Sequence, residues 1–237
     1  MHLAARRSPL TRALAIAAAT TALVTVLSYA LPADYSGTGV GLAFVAVTYV
    51  LVLRDDDDIK VRHHGLSLGG LLEWGPLDYR RLLRDGARAL GWALLTACVF
   101  FPPFWLGFVF WWHPTASFAL PSFDGFATRA ANELLMIALP EEAFYRAYLL
   151  TAVDDALPPT RRVLGAEVGW GLVIVSALFA VGHLLTELDP NRLAVFFPSL
   201  VFCWLRRRSG GIGAPTAFHA MCNLFAWLLA QGYGVRA

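Results

Sequence analysis

Apolar stretches long enough to approach the thickness of a lipid bilayer recur along the whole chain, and they constrain its fold more than any other feature. A spanning helix needs about 20 mostly apolar residues, because lipid offers no partner to an unsatisfied backbone group. Stretches near that length lie around 13–31, 37–53, 89–112, 130–150, 166–186, 192–206 and 211–232, of which 37–53 and 192–206 are short. Composition agrees. Of 237 residues, 57% are hydrophobic and 15% charged, and the mean hydropathy is +0.57, whereas soluble domains carry about 25% charged residues. The expected fold is all-α, a polytopic bundle of about seven transmembrane helices. The net charge of +2 is too small to suggest a nucleic-acid partner. The lipid bilayer is the expected surrounding. The apolar run after Arg6, Arg7 and Arg12 is long for a cleavable signal segment and reads as a retained first helix.

Arginine placement sets the expected orientation, since basic residues stay on the cytoplasmic side. Arg6, Arg7 and Arg12 put the N-terminus inside. The loop 32–36 has no basic residue and falls outside. The loop 54–88 is rich in arginine and falls inside, and Arg161, Arg162 and Arg206 to Arg208 return to that side. Trp111 and Trp112 suit an interfacial belt at the outer end of the third stretch. Asp55 to Asp58 lack the spaced ligands of a calcium loop and read as a solvated helix end. The segment 65–88 mixes Leu and Trp with Arg, as a short amphipathic piece at the cytoplasmic interface does. His63 and His64 beside it read as surface residues. Cys98, Cys203 and Cys222 show no metal or disulfide spacing and read as small buried hydrophobes.

Ionisable groups inside such stretches cost about 2.5–3.5 kcal/mol each on insertion scales, so they mark function or a compensating partner. Three clusters stand out. The fourth stretch holds Glu141, Glu142 and Arg146. Four-residue spacing lets Glu142 pair with Arg146, while Glu141 points about 100° away and is left over. That spacing fits a structural ion pair or a general base. The fifth stretch holds His183, with Phe179 one turn before it. The last holds His219 and Asn223, four apart on one face. Each cluster alone fits a structural role as well. Together they supply the groups that activate a water and stabilise an oxyanion. Simple depth counting aligns them poorly, with Glu141 mid-span, His183 near the outer end and His219 in the inner half.

The ordered set EExxxR (Glu141, Glu142, Arg146), FxxxH (Phe179, His183) and HxxxN (His219, Asn223) resembles the CPBP intramembrane proteases, the CAAX-processing and bacteriocin-processing or Rce1-like family. The resemblance covers roughly 130–232. It implies a protease core at 129–237 with the site among the last four helices, and N-terminal helices with a cytoplasmic interfacial loop at 1–128. It implies a glutamic-type intramembrane endopeptidase in which Glu141 activates water and His183 holds that water. His219 and Asn223 would form the oxyanion hole. Glu142 and Arg146 would fix the geometry by pairing, and Phe179 would pack beside His183. No cofactor is expected. Zinc on Glu141, His183 and His219 is the alternative, but no HExxH pair is present.

The implied substrate is a membrane-anchored protein or peptide cut near its terminus, in CAAX-like, leader-peptide or C-terminal sorting-signal processing. The many Ala and Arg residues with a single lysine suggest a bacterial inner membrane. A transporter or proton relay uses similar intramembrane groups, but no paired halves are visible. A non-catalytic binding member, such as a bacteriocin-immunity factor, is the other alternative.

Overall fold

Each of the seven apolar stretches contains a helix in the computed structural model, which describes residues 9–235. Arg6 and Arg7 of the orientation argument lie outside the described residues. In chain order the helices are α1 (Pro9–Ala30), α2 (Ala33–Leu53), α3 (Asp58–His63), α4 (Tyr79–Trp112), α5 (126–156), α6 (Trp170–Thr186), α7 (Phe196–Ser209) and α8 (Gly213–Tyr233). By length and composition α1, α2 and α4 can each cross a membrane, and α6 is apolar but shorter. With 17 and 14 residues, α6 and α7 reach only about 25 and 21 Å, less than the roughly 30 Å of a hydrocarbon core.

Local chemistry sets the ends. Pro9 opens α1, and Pro32 precedes α2. The Asp57 side chain accepts hydrogen bonds from the Ile59 and Lys60 amides and so caps α3. Asp55 pairs with Lys60 at 2.7 Å, so the acidic run is a helix start. Asp78 caps α4 by accepting from Arg80 and Arg81. That cap starts the third long helix ten residues before the expected 89, so 79–88 of the supposed interfacial piece belong to that helix. Glycines with positive φ, Gly210 and Gly234, end α7 and α8.

Two expectations need correction. The chain is not wholly helical, because Arg161–Val163 (β1) and Ala166–Val168 (β2) form an antiparallel hairpin. Leu164 and Gly165 turn it with φ of 47° and 84°. Residues 166–168 therefore belong to a strand, and α6 begins at Trp170. Cys98 is exposed on α4, while Cys203 is buried and Cys222 half-buried.

Helix α5 is the centre of the bundle, packed by α1, α2, α6, α7 and α8, with α4 lying against α8 and α7. Ala13, Ala17 and Val24 of α1 and Phe44 and Val52 of α2 share one core with Phe144, Leu149 and Leu150 of α5. The basic end of the bundle is closed by polar contacts. His63, itself exposed, meets Asp155 at 2.9 Å. His64 is half-buried and stacks on Tyr148. Arg206 donates to the His63 carbonyl, and Arg207 pairs with buried Asp154. Arg81, Arg62 and Ser67 all donate to Glu73, which holds its carboxyl well below the usual carboxylate range.

Two stretches of α5, Glu133–Ala138 and Ala143–Leu149, widen into π-helical turns. Pro140 sits between them. It has no N–H to give Met136, and in a regular helix its ring would press on that carbonyl. A wider turn relieves the clash. Gly41 of α2 packs against the same carbonyl, where a Cβ would come within 2.5 Å of the Met136 oxygen. Gly41→Ala is therefore expected to lower the thermal midpoint in detergent and to cost about 1–3 kcal/mol. Gly37→Ala meets nothing within 4 Å and is expected to be neutral or stabilising, as an alanine is in a helix.

Candidate active site

Four helices meet at the fully buried Glu142. Its Oε1 lies 3.0 Å from Arg146 Nη1 and 3.0 Å from His219 Nδ1. Arg146 is fully buried too. Taking both ions out of water costs several kcal/mol each, so the pair persists only with further partners. Arg146 Nη2 donates to Ser199 Oγ of α7 at 2.6 Å. Its guanidinium also lies over Phe179 at 4.3 Å and Phe202 at 5.0 Å, a cation–π arrangement in a desolvated setting.

The same aromatic rings position the histidines. Phe202 stacks on His219 with centroids 4.7 Å apart and planes at 19°. Phe179 meets His183 at 4.3 Å and His219 at 6.0 Å. Tyr145 braces Phe179 edge-on at 5.0 Å, and Gly182 leaves room for the Tyr145 hydroxyl. His183 Nδ1 donates to the Phe179 carbonyl at 3.0 Å in the tautomer that this contact favours. Its Nε2 then has a free lone pair.

Glu141 is held differently. It is half-buried, and its Oε2 is shielded from solvent without a hydrogen-bond partner. That oxygen lies 3.9 Å from His219 Nε2. One imidazole therefore faces both carboxylates, bonded to Glu142 on one nitrogen and open toward Glu141 on the other. Glu141, Arg192 and His219 are electrostatic neighbours of His183. Phe179, one turn deeper than His183, meets both Arg146 and His219 and so links the helix of His183 to the buried pair.

Asn223 lies one turn along α8 from His219. Its Nδ2 donates to Glu133 Oε2 at 3.0 Å, and Glu133 is also 4.0 Å from Arg129. Glu133 was legible by the rule that singled out Glu141: it is an ionisable residue inside the 130–150 stretch. Ser199 and Phe202 gave no such signal, since a serine and a phenylalanine are ordinary in a membrane helix. Among the described residues, no three His, Cys, Asp or Glu side chains converge as a metal site requires.

A double-mutant cycle tests the buried pair. Arg146→Met or Glu142→Gln alone is expected to cost about 3–5 kcal/mol, because each leaves a buried group without its partner. The double variant is expected to cost less than the sum. Unfolding in detergent reads this directly, and additive losses would mean that the two residues are energetically independent.

The family model for type II CAAX prenyl endopeptidase, Rce1-like, matches residues 125–225. That segment contains Glu141, Glu142, Arg146, Phe179, His183, His219, Asn223 and also Glu133. No curated protein and no solved structure matches the chain. Residues 125–225, from the start of α5 to the middle of α8, are thus similar to the Rce1-like family of membrane proteases.

Proposed function

We propose that this protein is a glutamate-dependent intramembrane endopeptidase, cutting a peptide bond near the membrane-anchored terminus of a protein or peptide. The observation that supports this reading most directly is the division of labour between adjacent carboxylates. Each carboxylate keeps one oxygen without a hydrogen-bond partner, but Glu142 is fully buried with its other oxygen held by Arg146 and His219, whereas Glu141 is only half-buried and lies beside His219 Nε2. A carboxylate with a free oxygen in a shielded site can accept a proton.

In this mechanism Glu141 takes a proton from a water as the water oxygen attacks the substrate carbonyl. His183 Nε2 accepts the other water hydrogen and aligns the nucleophile. Negative charge gathers on the carbonyl oxygen. His219 Nε2, when the ring carries its second proton, and the second Asn223 amide hydrogen donate to it. Collapse breaks the C–N bond, and Glu141 returns its proton to the leaving amine. Water is consumed, and a carboxylic acid and an amine result, the acid then losing its proton to solvent. No metal enters the scheme. The membrane is expected to be a bacterial inner membrane, with the N-terminus in the cytoplasm.

Glu141→Gln keeps the side-chain shape and removes the base. Its cleavage rate is expected to fall at least a hundredfold, the span that general-base catalysis commonly supplies, with unchanged membrane insertion. A chelator is expected to leave wild-type activity intact. Comparing membrane-protein termini by mass spectrometry in cells with wild-type or Glu141→Gln protein would reveal the substrates. Wild-type turnover by Glu141→Gln would refute the proposed base, and loss with chelator reversed by zinc would refute the metal-free route.

Glu133 is assigned as a positioning residue. By accepting from Nδ2 it fixes which end of the Asn223 amide faces the site. Glu133→Ala is expected to lower kcat about tenfold or more with KM little changed, a fraction of the loss from removing an oxyanion donor outright. The Glu133→Ala/Asn223→Ala pair is expected to be no worse than Asn223→Ala alone. Fully additive losses would show that Glu133 acts elsewhere.

A further inference from the structure

We infer that the corner between α4, α7 and the β1–β2 hairpin holds an anionic glycerophospholipid, with one acyl chain in an apolar groove and the phosphate at Arg208. This rests on membrane embedding and not on the catalytic scheme. The groove has a volume of about 480 Å³, is lined by Trp92, Leu95, Val99, Phe100, Val201 and Trp204, and has Arg208 at its margin. Phe100 and Val201 also line an adjoining apolar pocket of about 280 Å³, which reaches Phe218 and Cys222 on α8. Two adjoining pockets with almost no polar lining suit a hydrocarbon chain.

The charge at the margin argues for the headgroup. Of the three arginines ending α7, Arg206 bonds a backbone carbonyl and Arg207 pairs with Asp154. Arg208 has no carboxylate partner among the described residues. Its guanidinium lies 4.3 Å over the Trp92 ring, and its Nε is buried without a hydrogen-bond partner. Gly165 of the hairpin turn allows the close approach, since a Cβ there would come 3.0 Å from Arg208 Nε. The guanidinium is thus held in place before any anion arrives, which limits the entropy lost on binding.

The hairpin supplies a matching surface. Its tip residue Leu164 is 82% exposed, and Arg161 and Arg162 are exposed on β1. Glu167 lies opposite Arg162 in the ladder, so the balance at this corner stays positive through Arg161 and Arg208. Trp204 Nε1 donates to the Val163 carbonyl at 3.0 Å and fastens the tip to α7. An apolar tip beside basic side chains, next to two tryptophans, is the chemistry of a bilayer interface that attracts acidic lipid.

The test is native mass spectrometry of the full chain after equilibration with vesicles of phosphatidylglycerol or phosphatidylcholine with matched chains. Wild-type protein is expected to retain phosphatidylglycerol preferentially. Arg208→Gln is expected to weaken that retention about fivefold, the effect of losing roughly one interfacial arginine. Arg208→Lys is expected to keep the preference, and Arg84→Gln, on an exposed turn of α4, to match wild type. Val201→Trp, which fills the groove and leaves the arginine, is expected to reduce retention as well. Helix content by circular dichroism confirms that each variant is folded. Equal retention of the two lipids, or an unaffected Arg208→Gln, overturns the proposal. So does inorganic phosphate protecting the protein from thermal unfolding as well as phosphatidylglycerol does, since that describes an anion site without a chain.

Discussion

The buried Glu142 carboxylate is the contact on which the rest of the bundle turns. Three helices reach it or its arginine through specific atoms: α8 through His219, α7 through Ser199 on Arg146, and α5 itself through Arg146. An ion pair in such a place adds little net stability by itself, because desolvation cancels most of the attraction. Its value lies in specificity. Only one mutual arrangement of α5, α7 and α8 satisfies the arginine, the carboxylate and the imidazole together. Phe179 and Phe202 then fill the space around that arrangement and fix the ring planes. The same contact ties Glu142 to a cation in the fully buried interior, while its neighbour Glu141 stays half-buried and without an arginine of its own.

Much of this was readable beforehand, and particular residues show why. Helical spacing alone pairs Glu142 with Arg146 and strands Glu141, because the period of the helix fixes which side chains meet. Cross-helix partners are another matter. That His219 would bond Glu142, and not only face Glu141, depends on how far α8 slides along α5, which no local pattern encodes. Ser199 and Phe202 were invisible for the same reason. Depth counting ranks positions along each helix and leaves out side-chain reach, and it is the Phe179 ring that meets Arg146 and His219. The hairpin at 161–168 was hidden by its own composition: Ala166 and Val168, with only Glu167 between them, lead into the apolar run of α6.

Glu133 is instructive in another way. It is an intramembrane carboxylate on the site helix, and it has a partner, Asn223, that a reading by motif assigns wholly to chemistry. An amide has two ends and two hydrogens on one of them. Holding one hydrogen on a carboxylate determines where the other points.

The clearance at Gly41 reaches further than its place in α2 suggests. It lies outside the segment 125–225 that carries the family match, yet it abuts the carbonyl of Met136, four residues before Pro140 and five before Glu141. Any side chain there would push on the backbone of the turn that presents Glu141. A substitution at position 41 would thus mimic an active-site lesion in an activity screen while touching no reacting atom. The part of the chain without a recognisable motif therefore sets tolerances for the part that has one, and a catalytic segment transplanted without α2 would lose the surface against which its key turn is gauged.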